Sequence, residues 1–174
     1  SESIIAGNKI SNLRQLIHER LQQTNQFCQC IRCREARNKP VNLKDIKFKI
    51  RQYQASGGLE YFLSYESKDE KTLYAFLRLR IPKNIEPNLI KELPEIKNST
   101  LIREVHTYGQ LIPLKSKQKA IQHIGLGKKL MQQAEEITKK NKLNKISVIA
   151  GIGVRQYYEK LGYSLEQTYM VKYL

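Results

Sequence analysis

Apolar residues recur at spacings of three and four through Ile10, Leu13, Leu16, Ile17 and Leu21, with Arg14, His18, Arg20 and Gln22 between them. That period predicts a helix over residues 9–24, capped near Ser11 or Asn12. From about residue 46 the period shortens to two. Ile46-Lys47-Phe48-Lys49-Ile50 alternates apolar and charged, as a half-buried strand should, and Gly57-Gly58 marks a turn. Leu59 to Tyr65 and Leu73 to Leu79 alternate again and are joined by Glu66-Ser67-Lys68-Asp69-Glu70-Lys71, which predicts a hairpin. Pro82, Pro87 and Pro94 make 81–98 a surface connection, and Leu101 to Leu114 reads as a strand bulged at Gly109. The helical period returns from Gly125 to Lys140, where Leu126, Leu130, Ala134 and Ile137 form an apolar stripe. A short buried strand over Lys145 to Ala150 follows. Gly151-Ile152-Gly153 turns into a helix from Val154 to Leu161, stopped by Gly162, and Tyr163 to Tyr173 closes the chain as strand. The sum is an α+β domain: an antiparallel meander, then strand–helix–strand–helix–strand.

At 174 residues the chain fits one domain with a small appendage and can bury about two thirds of its unfolded surface. No run of 18 apolar residues exists and the N-terminus lacks a signal-peptide pattern, so no membrane partner is expected. The charge changes the picture more. Lys and Arg number 31 against 16 Asp and Glu, a net +15, which suits a polyanion such as RNA, though a lysine-rich solvated surface has the same composition. The three cysteines, Cys28, Cys30 and Cys33, crowd into one short loop. That spacing argues for a metal clip in a reducing compartment, the cytoplasm, rather than a disulfide framework. Three soft ligands suit Zn²⁺, with a fourth from His18, His106 or His123; free cysteines in a small core are the alternative. The polar stretch from Arg34 to Asn42, with Pro40, reads as a linker, so residues 1–45 form a helical linker with a cysteine loop and 46–174 the main domain.

Readable chemistry begins at Gln122-His123-Ile124-Gly125-Leu126-Gly127, which opens a helix after a strand. A helix N-terminus leaves backbone N–H groups unpaired and carries partial positive charge, and glycines there let a pyrophosphate approach without meeting a Cβ. Lys128 and Lys129 add charge on the first turn. The loop is neither a Walker loop, which needs Gly-Lys-Ser/Thr, nor a dinucleotide fingerprint, which needs a third glycine and a downstream acid.

This loop, together with Tyr157-Tyr158-Glu159-Lys160-Leu161-Gly162-Tyr163, resembles the GNAT N-acetyltransferases, in which Q/R-x-x-G-x-G/A holds the pyrophosphate of CoA. The resemblance implies a mixed, mostly antiparallel sheet flanked by helices, with pantetheine between two splayed strands. Adding Cys28-Gln29-Cys30-Ile31-Arg32-Cys33-Arg34-Glu35, Gly57-Gly58-x-Glu60-x-Phe62-Leu63-Ser64-Tyr65-Glu66, Leu77-Arg78-Leu79-Arg80, Ile102-Arg103-Glu104-Val105-His106-Thr107-Tyr108-Gly109 and Tyr169-Met170-Val171-Lys172, nearly the whole chain resembles the acetyltransferase half of the Elongator catalytic subunit family. That family implies acetyl-CoA on Glu104, Val105, His106 and Thr107, on Gln122, Gly125, Leu126, Gly127 and Lys128, and on Tyr158, which would protonate the departing thiolate. It implies Zn²⁺ on Cys28, Cys30 and Cys33, with His106 taken as the fourth ligand. It further implies tRNA as partner, carboxymethylation of the wobble uridine, accessory complex subunits, and a radical-SAM half with S-adenosylmethionine and an iron–sulfur cluster; that half is missing from these residues. Lys47, Lys49, Arg51, Arg78, Arg80 and the strand from Arg103 to Gln110 are candidates for a tRNA face. Two alternatives stay open: a protein lysine acetyltransferase with Glu104 as general base, and a non-catalytic tRNA-binding module.

Overall fold

The structure, a computed structural model, describes residues 7, 10–37, 45–108 and 125–174. The chain divides into two compact units, Ser1–Glu35 and Ala36–Leu174. In the first, helix α1 (Leu13–Gln23) starts after Asn12 and leads through a turn to the single-turn helix α2 (Ile31–Arg34), whose N-cap is Cys30. No residue of α1 is buried, so its apolar spacing does not enclose a core of its own.

The second unit is a seven-stranded sheet in the order β1-β2-β3-β4-β5-β7-β6. Strands β1 (Ile46–Ala55), β2 (Gly58–Ser67) and β3 (Leu73–Pro82) form the expected meander, each turned antiparallel on the last. Gly57 takes φ 68°, a value open to glycine, and makes the β1–β2 turn tight. The connection at 81–98 is more ordered than its prolines suggest. Pro87 opens a short helix α3 (Pro87–Glu92) and Pro94 a 3₁₀ turn (Pro94–Ile96), where a missing N–H costs nothing. Glu95 and Ile96 are buried there.

Strand β4 (Thr100–Thr107) is antiparallel to β3, and β5 (Lys145–Ile149) is parallel to β4, with helix α4 (Leu126–Lys140) as the crossover. The β3–β4 pairing has a register irregularity between Arg78 and Leu79; the bulge expected at Gly109 lies outside the described residues. The last expected elements divide. Ile152–Val154 is a 3₁₀ turn before helix α5 (Arg155–Glu159), and the terminal strand is a hairpin of β6 (Ser164–Glu166) and β7 (Tyr169–Tyr173). Gln167, at φ 47°, makes that turn.

The apolar stripe of α4 packs Leu126, Leu130, Met131, Ala134 and Ile137 onto Leu63, Ala75, Leu77, Leu79, Ile102, Ile146 and Val148. Each buried Leu, Ile, Val or Met among them contributes about 2 kcal/mol. A polar staple sets the register. Thr138 Oγ donates to the Ala134 carbonyl at 2.8 Å and pairs with Thr100 Oγ at 2.7 Å, tying the end of α4 to the start of β4. The N-terminus of α4 is thereby directed at the other end of β4, where the strands part.

Candidate functional site

The parallel ladder between β4 and β5 is short. It pairs Thr100, Leu101 and Ile102 with Ile146, Ser147 and Val148 and then stops, while β4 runs on to Thr107. From Glu104 to Thr107 the strand keeps its β3 partners but has no strand on its other edge among the described residues. Backbone groups on such an edge are open to a ligand amide.

Facing this gap, Gly125 (φ 71°, left-handed) caps α4 without any side-chain hydrogen bond, and the first turn carries no acidic side chain. Among the described residues no side chain caps the first N–H groups, so they and the positive end of the helix are open to an anion. A Cβ on Gly127 would sit 3.1 Å from the Tyr157 hydroxyl and 3.5 Å from the Thr107 methyl, so the glycine keeps a narrow channel open between β4, α4 and α5. The channel belongs to a cleft of about 300 Å³ whose walls are Val105, His106 and Thr107 on β4, Gly125, Gly127 and Lys128 on α4, and Val154, Tyr157 and Tyr158 near α5.

Most residues expected at the cofactor site therefore meet in one place: Val105, His106, Thr107, Gly125, Gly127, Lys128 and Tyr158. Leu126 is 3 % exposed, its side chain in the core, so only its backbone is offered. Glu104 is placed on the cross-strand pair with Arg78, 3.5 Å from its guanidinium, and is not in the cleft wall. Gln122 and His123 lie outside the described residues. Tyr157 and Val154 are the wall residues that the sequence reading did not single out; being next to Tyr158 and at the foot of the Gly-x-Gly turn was their only signal.

The two tyrosines differ. Tyr158 is 5 % exposed, and burial, then the neighbouring Tyr157, pushes its hydroxyl up to about 12. Tyr157 is 40 % exposed, its hydroxyl also raised by burial. Their rings meet edge to face at 5.2 Å, and Tyr158 meets Tyr163 likewise at 6.0 Å. Behind them Glu135 accepts from the Tyr163 hydroxyl and from Lys172 Nζ, each at 3.0 Å, tying α4 to β7 and to the segment that follows α5.

The basic strand face expected for tRNA is largely committed within the protein. Arg80 and Arg103 both donate to buried Glu60, at 2.8 and 2.9 Å. Arg51 is held by buried Glu66 and by Glu70, Lys49 by Glu70, and Arg78 by Glu104.

In the first unit the sulfurs of Cys28, Cys30 and Cys33 lie within 4.8 Å of one another. Arg14 Nη2 donates to Cys33 Sγ at 3.1 Å and to Cys30 Sγ at 3.5 Å, and His18 Nε2 is 3.3 Å from Cys33 Sγ. The Cys33 backbone N–H, with Cys28 and Arg14, lowers the Cys30 thiol to about 6. Three converging soft donors with one already favouring the thiolate fit Zn²⁺. His106 lies in the cleft wall of the second unit, its ring tilted 4.4 Å from Tyr108 and stacked 6.2 Å from Phe76.

Residues 117–170 match the acetyltransferase (GNAT) domain family. The chain is 43% identical over 180 residues to a tRNA uridine(34) acetyltransferase of Methanocaldococcus jannaschii, covering 98% of this chain and 32% of the relative. It is 38% identical to Elongator complex protein 3 of Schizosaccharomyces pombe over the same shares. A solved structure of archaeal Methanocaldococcus infernus Elp3 with its N-terminus deleted superposes with a TM-score of 0.77 at 38% identity, covering 99% of this chain and 42% of that one. The chain carries the GNAT domain of the Elongator protein 3 family. It spans about a third of the length of the curated relatives it matches. As a member of that family it has the mixed sheet and the strand parting that the GNAT resemblance implied. No helix among the described residues is long and apolar enough to cross a membrane.

Proposed function

We propose that this chain binds acetyl-CoA in the β4–α4–α5 cleft and serves the acetyl-transfer part of a tRNA wobble-uridine modification. The observation that carries the reading is the meeting, in one cleft, of a glycine-led helix N-terminus and a strand edge, both without partners among the described residues, and a buried phenol. Backbone N–H groups of Leu126, Gly127 and Lys128 would take the pyrophosphate, with the Lys128 side chain adding charge. The free edge over Glu104, Val105, His106 and Thr107 would hydrogen-bond pantetheine and polarise the thioester carbonyl. Tyr158 would donate to the sulfur that leaves. Its hydroxyl keeps its proton far above neutral pH, so the donor is always present.

Glu104 is turned to Arg78 and stands outside the cleft wall, so no carboxylate base among the described residues lines the cleft, which favours the RNA reading over protein acetylation. Support for tRNA comes from relatives named for uridine(34) and from the net +15. In this reading the 5-carboxymethyl product needs a radical-SAM partner, in cis or in trans, which brings S-adenosylmethionine and an iron–sulfur cluster, and accessory subunits of the complex. The Cys28, Cys30 and Cys33 cluster holds Zn²⁺, as reduced cysteines in the cytoplasm would allow.

Calorimetry with acetyl-CoA tests the cleft. Gly127→Glu puts a carboxylate into the anion site and should weaken binding by at least about tenfold, roughly 1.4 kcal/mol. Gly127→Ala, whose methyl meets only the movable Tyr157 hydroxyl and a methyl, should cost less. Unchanged affinity in Gly127→Glu would place the cofactor elsewhere.

A further inference from the structure

The proposed zinc site lacks a fourth donor until the face of α1 is considered, and this inference rests on that zinc reading. Arg14 and His18 are four residues apart, one above the other on one side of the helix, and both reach the cysteine loop. His18 is half-buried in a helix that buries nothing outright. In a zinc tetrahedron with Zn–S near 2.3 Å and Zn–N near 2.0–2.1 Å, a sulfur and a nitrogen on adjacent corners stand about 3.5 Å apart, and two sulfurs about 3.8 Å. The His18 Nε2 to Cys33 Sγ distance is 3.3 Å, and the three sulfurs already lie within 4.8 Å of one another. The His18–Cys33 pair thus already stands near the separation of two adjacent corners.

We infer that His18 Nε2 is the fourth ligand, closing a Cys₃His zinc site within the first unit, and that Arg14 neutralises it from outside. Three thiolates, a neutral imidazole and Zn²⁺ sum to one negative charge. A guanidinium donating to two of the sulfurs is the counter-charge such a site calls for, and its planar fork suits two sulfurs at once. The two described histidines then divide the work. His18 serves the metal; His106, in the cleft wall against Tyr108, serves the cofactor.

The test is metal content and ligand spectroscopy on the purified chain, using zinc and, as a visible probe, Co²⁺. Wild-type protein should hold about one zinc per chain with three sulfurs and one nitrogen by X-ray absorption, and Co²⁺ should show tetrahedral bands of the same donor set. His18→Ala should lose the nitrogen signal and weaken zinc by roughly 100-fold in a chelator competition, while His106→Ala leaves both unchanged. His18→Cys should restore tight binding with four sulfurs, which guards against loss of folding in the alanine variant. A three-sulfur, one-nitrogen spectrum surviving in His18→Ala, or vanishing in His106→Ala, overturns the His18 assignment and leaves the zinc reading intact. Wild-type chain that takes up no zinc sinks the zinc reading itself.

Discussion

Burial around Tyr158 does more than hide a ring. It raises the hydroxyl to about 12, and it raises Tyr163 further still, with Glu135 adding to the effect. A tyrosine whose folded value lies above the unfolded one stabilises the fold fully below about pH 10, and that contribution is lost as pH rises through the folded value. Thermal unfolding should therefore hold steady from pH 7 to 9 and fall above 10. Tyr163→Phe, which removes the hydroxyl and keeps the ring, should flatten that fall; an unchanged alkaline slope would show that these phenols are not the titrating groups. Tyr158→Phe keeps the packing and removes the donor. It should leave acetyl-CoA affinity within about threefold and slow CoA release in the assembled enzyme about 100-fold, the usual worth of a positioned acid. Equal loss of affinity and rate would assign Tyr158 to binding alone. Tyr158 was legible in the sequence only through the resemblance of Tyr158-x-Lys160-x-Gly162-Tyr163 to the GNAT motif. Tyr157 was not, because which of two adjacent tyrosines faces the wall depends on how a five-residue helix rotates, and no sequence period fixes that.

Among the elements, the meander and α4 were legible because each shows one clear period, two for half-buried strands and 3.6 for a helix with one buried stripe. Tyr163 to Tyr173 was read as one strand because nothing in Glu166-Gln167-Thr168 is a strong turn former; the chain turns there on a non-glycine left-handed residue, Gln167. The charged strand positions were legible as basic, but their pairing was not, because Glu60, Arg80 and Arg103 come from three strands and meet only through register. That pairing has a measurable consequence. Glu60 is 1 % exposed, and its Oε2 has no hydrogen-bond partner among the described residues, so the carboxylate depends on its two arginines. Removing it leaves Arg80 with only the carbonyls of Ala55 and Ser56, at 3.1 and 2.6 Å. Glu60→Ala should destabilise by about 3 kcal/mol, a fall in Tm of roughly 6–12 °C. A fall under about 2 °C would mean that the arginines find water as readily as they find Glu60.

Across the whole molecule, stability is divided unequally between the two units. The second has a continuous core from Leu63 and Leu77 through α4 to Met170. The first has a helix with no buried residue and a four-residue helix started by Cys30, too little apolar burial to fold a segment of its size unaided. Metal binding can supply what burial does not, since the free energy of ligation is then folding free energy. Chelation should accordingly remove helical circular dichroism equal to α1 and α2, while acetyl-CoA titrated into the stripped protein binds with wild-type affinity. Adding acetyl-CoA at about 100 times its Kd should stabilise the second unit by about 2.7 kcal/mol and raise its transition, with no effect on a first unit already melted. A chelated protein that kept its full helical signal would show that α1 stands without the metal, and the cysteine cluster would then be a passenger in this fold rather than its clasp.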